Sequence, residues 1–160
     1  MERVYLETTV IGNLTGRLHP DPRVSIRQEI TREWWSIAPQ RYQLVTSQLA
    51  HTECGAGDAQ AASERLRAIA ELELLEITPA ARELATSFIR LHAVPRSQPR
   101  DALHLAIVAV HGIEFLATWN FKHILNPHTQ AKIEKTCRDS GYLPPVICTP
   151  EQLWESDDGS

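Results

Sequence analysis

The chain has 160 residues, 42% hydrophobic and 22% charged, ordinary proportions for a soluble globular protein and enough for one domain burying about two-thirds of its unfolded surface. A formal net charge of −4 and a pI near 6.0 speak against holding nucleic acid by bulk charge alone, while leaving room for an acidic pocket neutralised by cations. No run approaches the ~20 apolar residues of a membrane span, and Met1 leads straight into strand-like sequence, which reads as a chain with no signal peptide.

In chain order, the first strand is expected over Val4–Glu7, followed by a helix over Val24–Trp35 with Ile26, Ile30 and Trp34 on one face. The run YQLVT, Tyr42–Thr46, predicts a second strand, and a helix carrying Glu53 begins beside Ser47. A helix over Ala59–Leu72 and a strand over Leu74–Thr78 come next. Thr78-Pro79, a capping residue followed by proline at the first helical position, opens a helix over Ala80–Val94. The segment Asp101–His111 is apolar nearly all round and so predicts a buried helix. Strands over Phe115–Thr118 and Val146–Thr149 flank a helix over Gln130–Ser140 that Gly141 terminates. Residues 156–160 are polar and expected to fray, leaving residues 1–155 as the domain. Near-continuous apolar strands alternating with helices imply parallel pairing and a three-layer α/β/α sandwich around a mostly parallel sheet of about five strands. Cys54, Cys137 and Cys148 are odd in number and form no close pair, which argues against a disulfide framework or a zinc site and for a reducing, cytoplasmic setting.

Open parallel sheets bind ligands at the carboxyl ends of their strands. Glu7 closes the first strand there, Glu53 lies in the helix after the second, Asp101 opens the buried helix, and Asn120 follows the fourth strand. Taken singly, each has an ordinary reading: an edge-strand end, a solvated helix residue, a helix-dipole partner, a turn former. Together they place three carboxylates and a carboxamide on one edge. Clustered like charges need a counter-ion, and hard oxygen donors suit Mg²⁺ or Mn²⁺. Such an ion polarises a phosphoryl oxygen and activates water for phosphodiester hydrolysis. Thr8, Thr9 and Thr118 are placed to hydrogen-bond the carboxylates or the waters around the ion.

The stretches VYLETTVIGNL, VTSQLAHTECGAGD, RDALHLAIVAVHGIEFLATWNFKHI and PPVICTPEQL together resemble the PIN-domain family, in particular the VapC-like proteins of bacterial type II toxin–antitoxin systems, from Val4 to about Trp154. The resemblance implies a PIN-like fold and a metal-dependent endoribonuclease whose metal-binding and catalytic residues are Glu7, Glu53, Asp101 and Asn120. It also implies an RNA substrate, a cognate antitoxin and a homodimer, with no membrane association. Glu7 stands where the family usually has aspartate, and Asn120 where many members have a further aspartate. The first departure lengthens a ligand by one methylene; the second drops a charge and weakens binding of a second metal. The Glu/Asn pair resembles one branch of the family.

Arg96, Arg100 and Lys122 flank the expected pocket and are candidates for RNA-phosphate contacts. His104 and His111 share a helix face, read as packing or partner-facing, and Trp119 reads as a packing residue before a base-stacking one. Of Trp34 and Trp35, one is expected to pack inward and the other to face a dimer or antitoxin surface. The competing reading is a non-catalytic PIN-like module that binds RNA or a protein without cutting. A phosphatase of the haloacid dehalogenase type is set aside, because Glu7 fits poorly where that chemistry needs a nucleophilic aspartate.

Overall fold

The computed structural model describes residues 1–155, so the expected frayed tail at 156–160 lies outside the described residues. The elements run β1 (Arg3–Leu6), α1 (Thr8–Leu14), α2 (Pro22–Arg41), β2 (Gln43–Ser47), α3 (Gln48–Cys54), α4 (Ala59–Ala68), β3 (Glu73–Leu75), α5 (Pro79–Arg90), α6 (Pro99–Val110), β4 (Phe115–Ala117), α7 (Pro127–Asp139), β5 (Val146–Cys148) and α8 (Pro150–Glu155). The five strands form one sheet in the order β3-β2-β1-β4-β5, and every neighbouring pair is parallel.

The sheet is apolar on both faces, and β1 shows why. Successive side chains on a strand point to opposite faces. Val4 and Leu6 therefore enter one core with Val10 and Ile11 of α1, Trp34 and Ala38 of α2, and Leu153 of α8. Tyr5 enters the other, with Leu84 and Phe88 of α5, Leu105 and Ile107 of α6, and Ile133 of α7. Helices thus cover both faces, giving the three-layer α/β/α arrangement that the alternating pattern predicts. Among the described residues, no helix is long and apolar enough to cross a membrane.

The chain moves from β1 outward through β2 to β3, then returns to the other side of β1 to lay down β4 and β5. The order reverses between β1 and β4, where the crevice beyond the strand ends opens as a natural binding site. Glu7 leaves β1 at that point, its backbone N–H donating to Ala117 O of β4 at 3.1 Å.

Element boundaries differ from expectation where polar side chains cap helices. The strand expected over Leu74–Thr78 shortens to Glu73–Leu75, because Thr78 leaves the sheet to cap α5, accepting from Ala81 N at 3.1 Å. Helix α2 starts earlier, at Pro22, with Asp21 accepting from Arg23 N at 2.9 Å, and continues past Trp35 to Arg41. Helix α7 starts at Pro127, where Asn126 accepts from His128 N at 2.9 Å. Helix α6 begins at Pro99, so Asp101 is its third residue and not its first. Trp34 is fully buried while Trp35 is partly exposed beside Pro39, Tyr42 and Leu72.

Cys54, Cys137 and Cys148 are all buried and free, and burial pushes their thiols up to about 11, 11 and 12 respectively. The thiolate is the reactive form. Native protein at pH 8 is therefore expected to leave all three unlabelled by a thiol reagent for hours, with three equivalents reacting only after denaturation. Rapid labelling of the native chain would contradict this packing.

Candidate active site

Glu7 is the residue at which β1 becomes α1: its backbone is extended, and Thr8 begins the helix. Its carboxylate is only 4% exposed. One oxygen, Oε1, accepts from Thr9 Oγ1 and, at 2.6 Å, from Thr118 Oγ1 just beyond β4. Both hydroxyls are fixed in turn, Thr9 Oγ1 accepting from Trp119 N and Thr118 Oγ1 from Asn120 N, each at 2.9 Å. Glu7 is thereby tied to the loop after β4 by two threonines. Such hydrogen bonds make burial of a carboxylate tolerable.

Glu53 projects from the second turn of α3, a helix capped by Ser47, whose Oγ accepts from Ala50 N at 3.1 Å. Its Oε1 accepts from Thr8 Oγ1 and from His104 Nε2, the latter at 2.7 Å. His104 is 1% exposed on α6 and its Nδ1 lies 2.6 Å from Tyr5 OH, which lies 2.7 Å from Ser47 Oγ. With Nε2–H donating to the carboxylate, Nδ1 accepts from Tyr5, and the tyrosine oxygen accepts from Ser47. The order satisfies every member of a buried chain that ties β1, β2, α3 and α6 together. Burial pushes the Glu53 carboxyl up, but the hydrogen bonds from His104 and Thr8 and the charge of Arg100 outweigh it and hold it below the ordinary glutamate value.

Asp101 sits half-buried in the first turn of α6. Burial raises its carboxyl above the ordinary aspartate value and the charge of Glu53 adds to this, against a lowering hydrogen bond from the Asn120 side chain and the influence of His123 and His104. Asn120 is held from both ends: Thr118 Oγ1 takes its N–H, and its own Oδ1 accepts from His123 N at 3.0 Å.

Hydrogen bonds tie Glu7 through Thr118 to Asn120, and Glu53 to Thr8 and His104. Asp101 lies near enough to Asn120 and Glu53 for both to act on its carboxyl. Thr8, Thr9 and Thr118 each donate to a carboxylate. Arg96, Arg100 and Lys122 are exposed, and only Arg100 lies close enough for its charge to act on a carboxylate of the cluster. Among the described residues, no Lys or Arg forms an ion pair with Glu7, Glu53 or Asp101; the one partner of that kind is His104 on Glu53. The donor chemistry, three carboxylates with no Lys or Arg paired to them, is that of a hard divalent cation. The side chains do not close around a common point: among the described residues, no group of three or more His, Cys, Asp or Glu is arranged to hold a metal ion.

Sequence reasoning missed the inner half of this site. Tyr5 and Ser47 carry no motif that marks them as polar partners, and His104, expected to pack or to face a partner, instead bonds Glu53. The available signal was a tyrosine in the middle of a central strand, whose hydroxyl must find a partner once buried. No protein-family model, curated protein or solved structure matches the chain, so the fold defines it: an all-parallel α/β protein with carboxylates at the carboxyl-end edge of its sheet.

Proposed function

We propose that this chain is a Mg²⁺- or Mn²⁺-dependent endoribonuclease with a PIN-like site, the toxin of a toxin–antitoxin pair. The observation that carries the reading is that Glu7, Glu53 and Asp101, from three distant parts of the chain, all stand at the carboxyl-end edge of the sheet with no Lys or Arg paired to them. Bound there, a divalent ion would supply an activated water and neutralise charge on the phosphate. Glu7, Glu53 and Asp101 are the residues that would hold it. The rest of the work belongs to the chain. Thr9 and Thr118 fix one oxygen of Glu7, His104 and Thr8 fix one oxygen of Glu53, and Asn120 carries a carboxamide beside Asp101 that orients the phosphodiester. Arg96, Arg100 and Lys122 meet the flanking phosphates, where their exposure suits water-rimmed backbone contacts. A cognate antitoxin and a homodimeric state complete the reading.

The second reading is a non-catalytic module that binds RNA or a protein. The observation favouring it is that one oxygen of Glu53 is already satisfied inside the protein by hydrogen bonds from His104 and Thr8. Calorimetric titration separates the two. The nuclease is expected to bind Mn²⁺ and to melt at a higher temperature in its presence, by about 5–10 °C at a hundredfold excess over Kd. It is also expected to nick single-stranded RNA. An isothermal titration flat up to millimolar Mn²⁺, with no change in melting, favours the module.

A further inference from the structure

The loop after β4 carries two aromatic rings with opposite fates. Trp119 is only 7% exposed and is clamped to α2, its Nε1–H donating to Thr31 Oγ1 at 2.9 Å. Phe121, two residues on, leaves 44% of its surface open to solvent. The Phe121 ring is held edge-on to Trp119 with centroids 6.1 Å apart. The guanidinium of Arg27 lies over both rings, 5.0 Å from the Phe121 centroid and 5.8 Å from that of Trp119. Arg27 pairs with no carboxylate among the described residues, so its charge is not spent inside the protein. Asn120 separates the two in sequence and acts on the neighbouring Asp101 carboxyl, while Trp119 N is tied through Thr9 to Glu7.

What sets this exposed ring apart from the other exposed apolar side chains is its backing by a fixed aromatic and a cation with no carboxylate partner, on the loop that carries Asn120. That combination matches an unpaired nucleotide. A base offers a π face to Phe121, and its phosphate offers a negative charge to Arg27 and to the exposed Lys122. We propose that Phe121 and Arg27 form a stacking platform that seats one unpaired base of a single-stranded RNA next to the scissile phosphate. The platform rests on the ribonuclease reading and deepens it: it selects for single strands, because a base in a duplex cannot reach the ring.

The test uses a single-stranded oligoribonucleotide with one 2-aminopurine, moved position by position, and the full chain carrying Asp101→Asn so that the probe is not cut. Binding is expected to quench the fluorophore strongly at one position. Adding Phe121→Leu, an exposed change that keeps apolar volume, is expected to weaken binding about tenfold and remove that quench. Phe121→Trp is expected to preserve both, and Arg27→Gln to weaken binding while lowering its salt dependence by about one charge. In the otherwise unaltered enzyme, Phe121→Leu raises KM severalfold and leaves Mn²⁺ binding intact. Equal affinity and equal quenching with leucine at 121 would overturn the platform while leaving the nuclease reading standing. Cleavage and Mn²⁺ binding both absent, with the position-specific quench retained, would remove the nuclease and keep the platform. Failure of the probe to bind at all would overturn the platform and assign the ring to a protein partner.

Discussion

Asp101→Ala is expected to abolish Mn²⁺-dependent cleavage of single-stranded RNA, lowering the rate by about a thousandfold or more, as loss of a carboxylate that holds a catalytic ion should. The reason lies in its position. Asp101 stands in the first turn of a helix that is buried along most of its length, so its Cα cannot move to compensate. The surroundings resist ionisation of its carboxyl, through burial and the charge of Glu53. A bound cation would reverse that resistance. The measurement is single-turnover cleavage of a labelled RNA with excess enzyme, alongside circular dichroism to verify the fold. Undiminished cleavage by the alanine variant would assign the activity to a contaminant or to another site.

The same residue has a signature in stability that needs no substrate. A carboxyl raised in the folded state favours its protonated form there, so the stability it contributes is present below its ordinary value of 3.8 and is lost as pH rises through the raised folded value. Asn at this position does not titrate. In metal-free protein, the stability of Asp101→Asn relative to the unaltered chain is therefore expected to improve between pH 3.5 and pH 7. Glu53 has the opposite sign: being lowered, it contributes stability above its ordinary value of 4.5 that is lost as pH falls through its folded value. Thermal melts at both pH values, in chelator, check the direction, and a relative stability that fell with rising pH would contradict the placement of Asp101.

Much of the fold was legible because hydrophobic pattern and capping chemistry agree along the chain. Thr78-Pro79 marked the start of α5, Gly141 follows α7 with a positive φ of 89°, and the apolar run of α6 named its buried helix. What escaped were short elements whose signal is chemical and not periodic. Helix α1 is seven residues long and follows Glu7 without a loop, so its two apolar residues Val10 and Ile11 are too few to display a helical period. Helix α8 is opened by Thr149 and Gln152, each side chain accepting the other's backbone N–H at 3.2 and 2.9 Å. That reciprocal cap is written in the sequence as TPEQ, a four-residue signal with no periodicity behind it. At the site, the carboxylates could be gathered from the rule that loops after parallel strands share an edge. Their inner partners could not, because which side chains meet across β1, β2 and α6 depends on strand register. The pairing of Tyr5 with Val45 is a property of the assembled sheet, and it sets Tyr5 close to Ser47, two residues further along β2.

His104 is where that hidden half can be measured, because two histidines on one helix face have unlike surroundings. His111 is partly exposed and its Nε2 meets only Glu76 O, at 2.9 Å. His104 is buried and joins Tyr5 to Glu53. His104→Ala opens a cavity and strips partners from a buried tyrosine hydroxyl and a carboxylate, costing about 2–4 kcal/mol and about 5–15 °C in Tm. His111→Ala is expected to cost less than about 1 kcal/mol, since its one hydrogen bond can be remade with water. Tyr5→Phe removes one oxygen and leaves both Ser47 Oγ and His104 Nδ1 short of a partner, costing about 1–3 kcal/mol. Because both changes break the same chain, the double variant Tyr5→Phe/His104→Ala should lose less than the sum of the two, by at least about 0.5 kcal/mol. Denaturant melts on the four proteins of the cycle decide it. Strict additivity would mean that Tyr5 and His104 stabilise the fold separately, and the coupling between β1 and the Glu53 carboxylate would have to be given up.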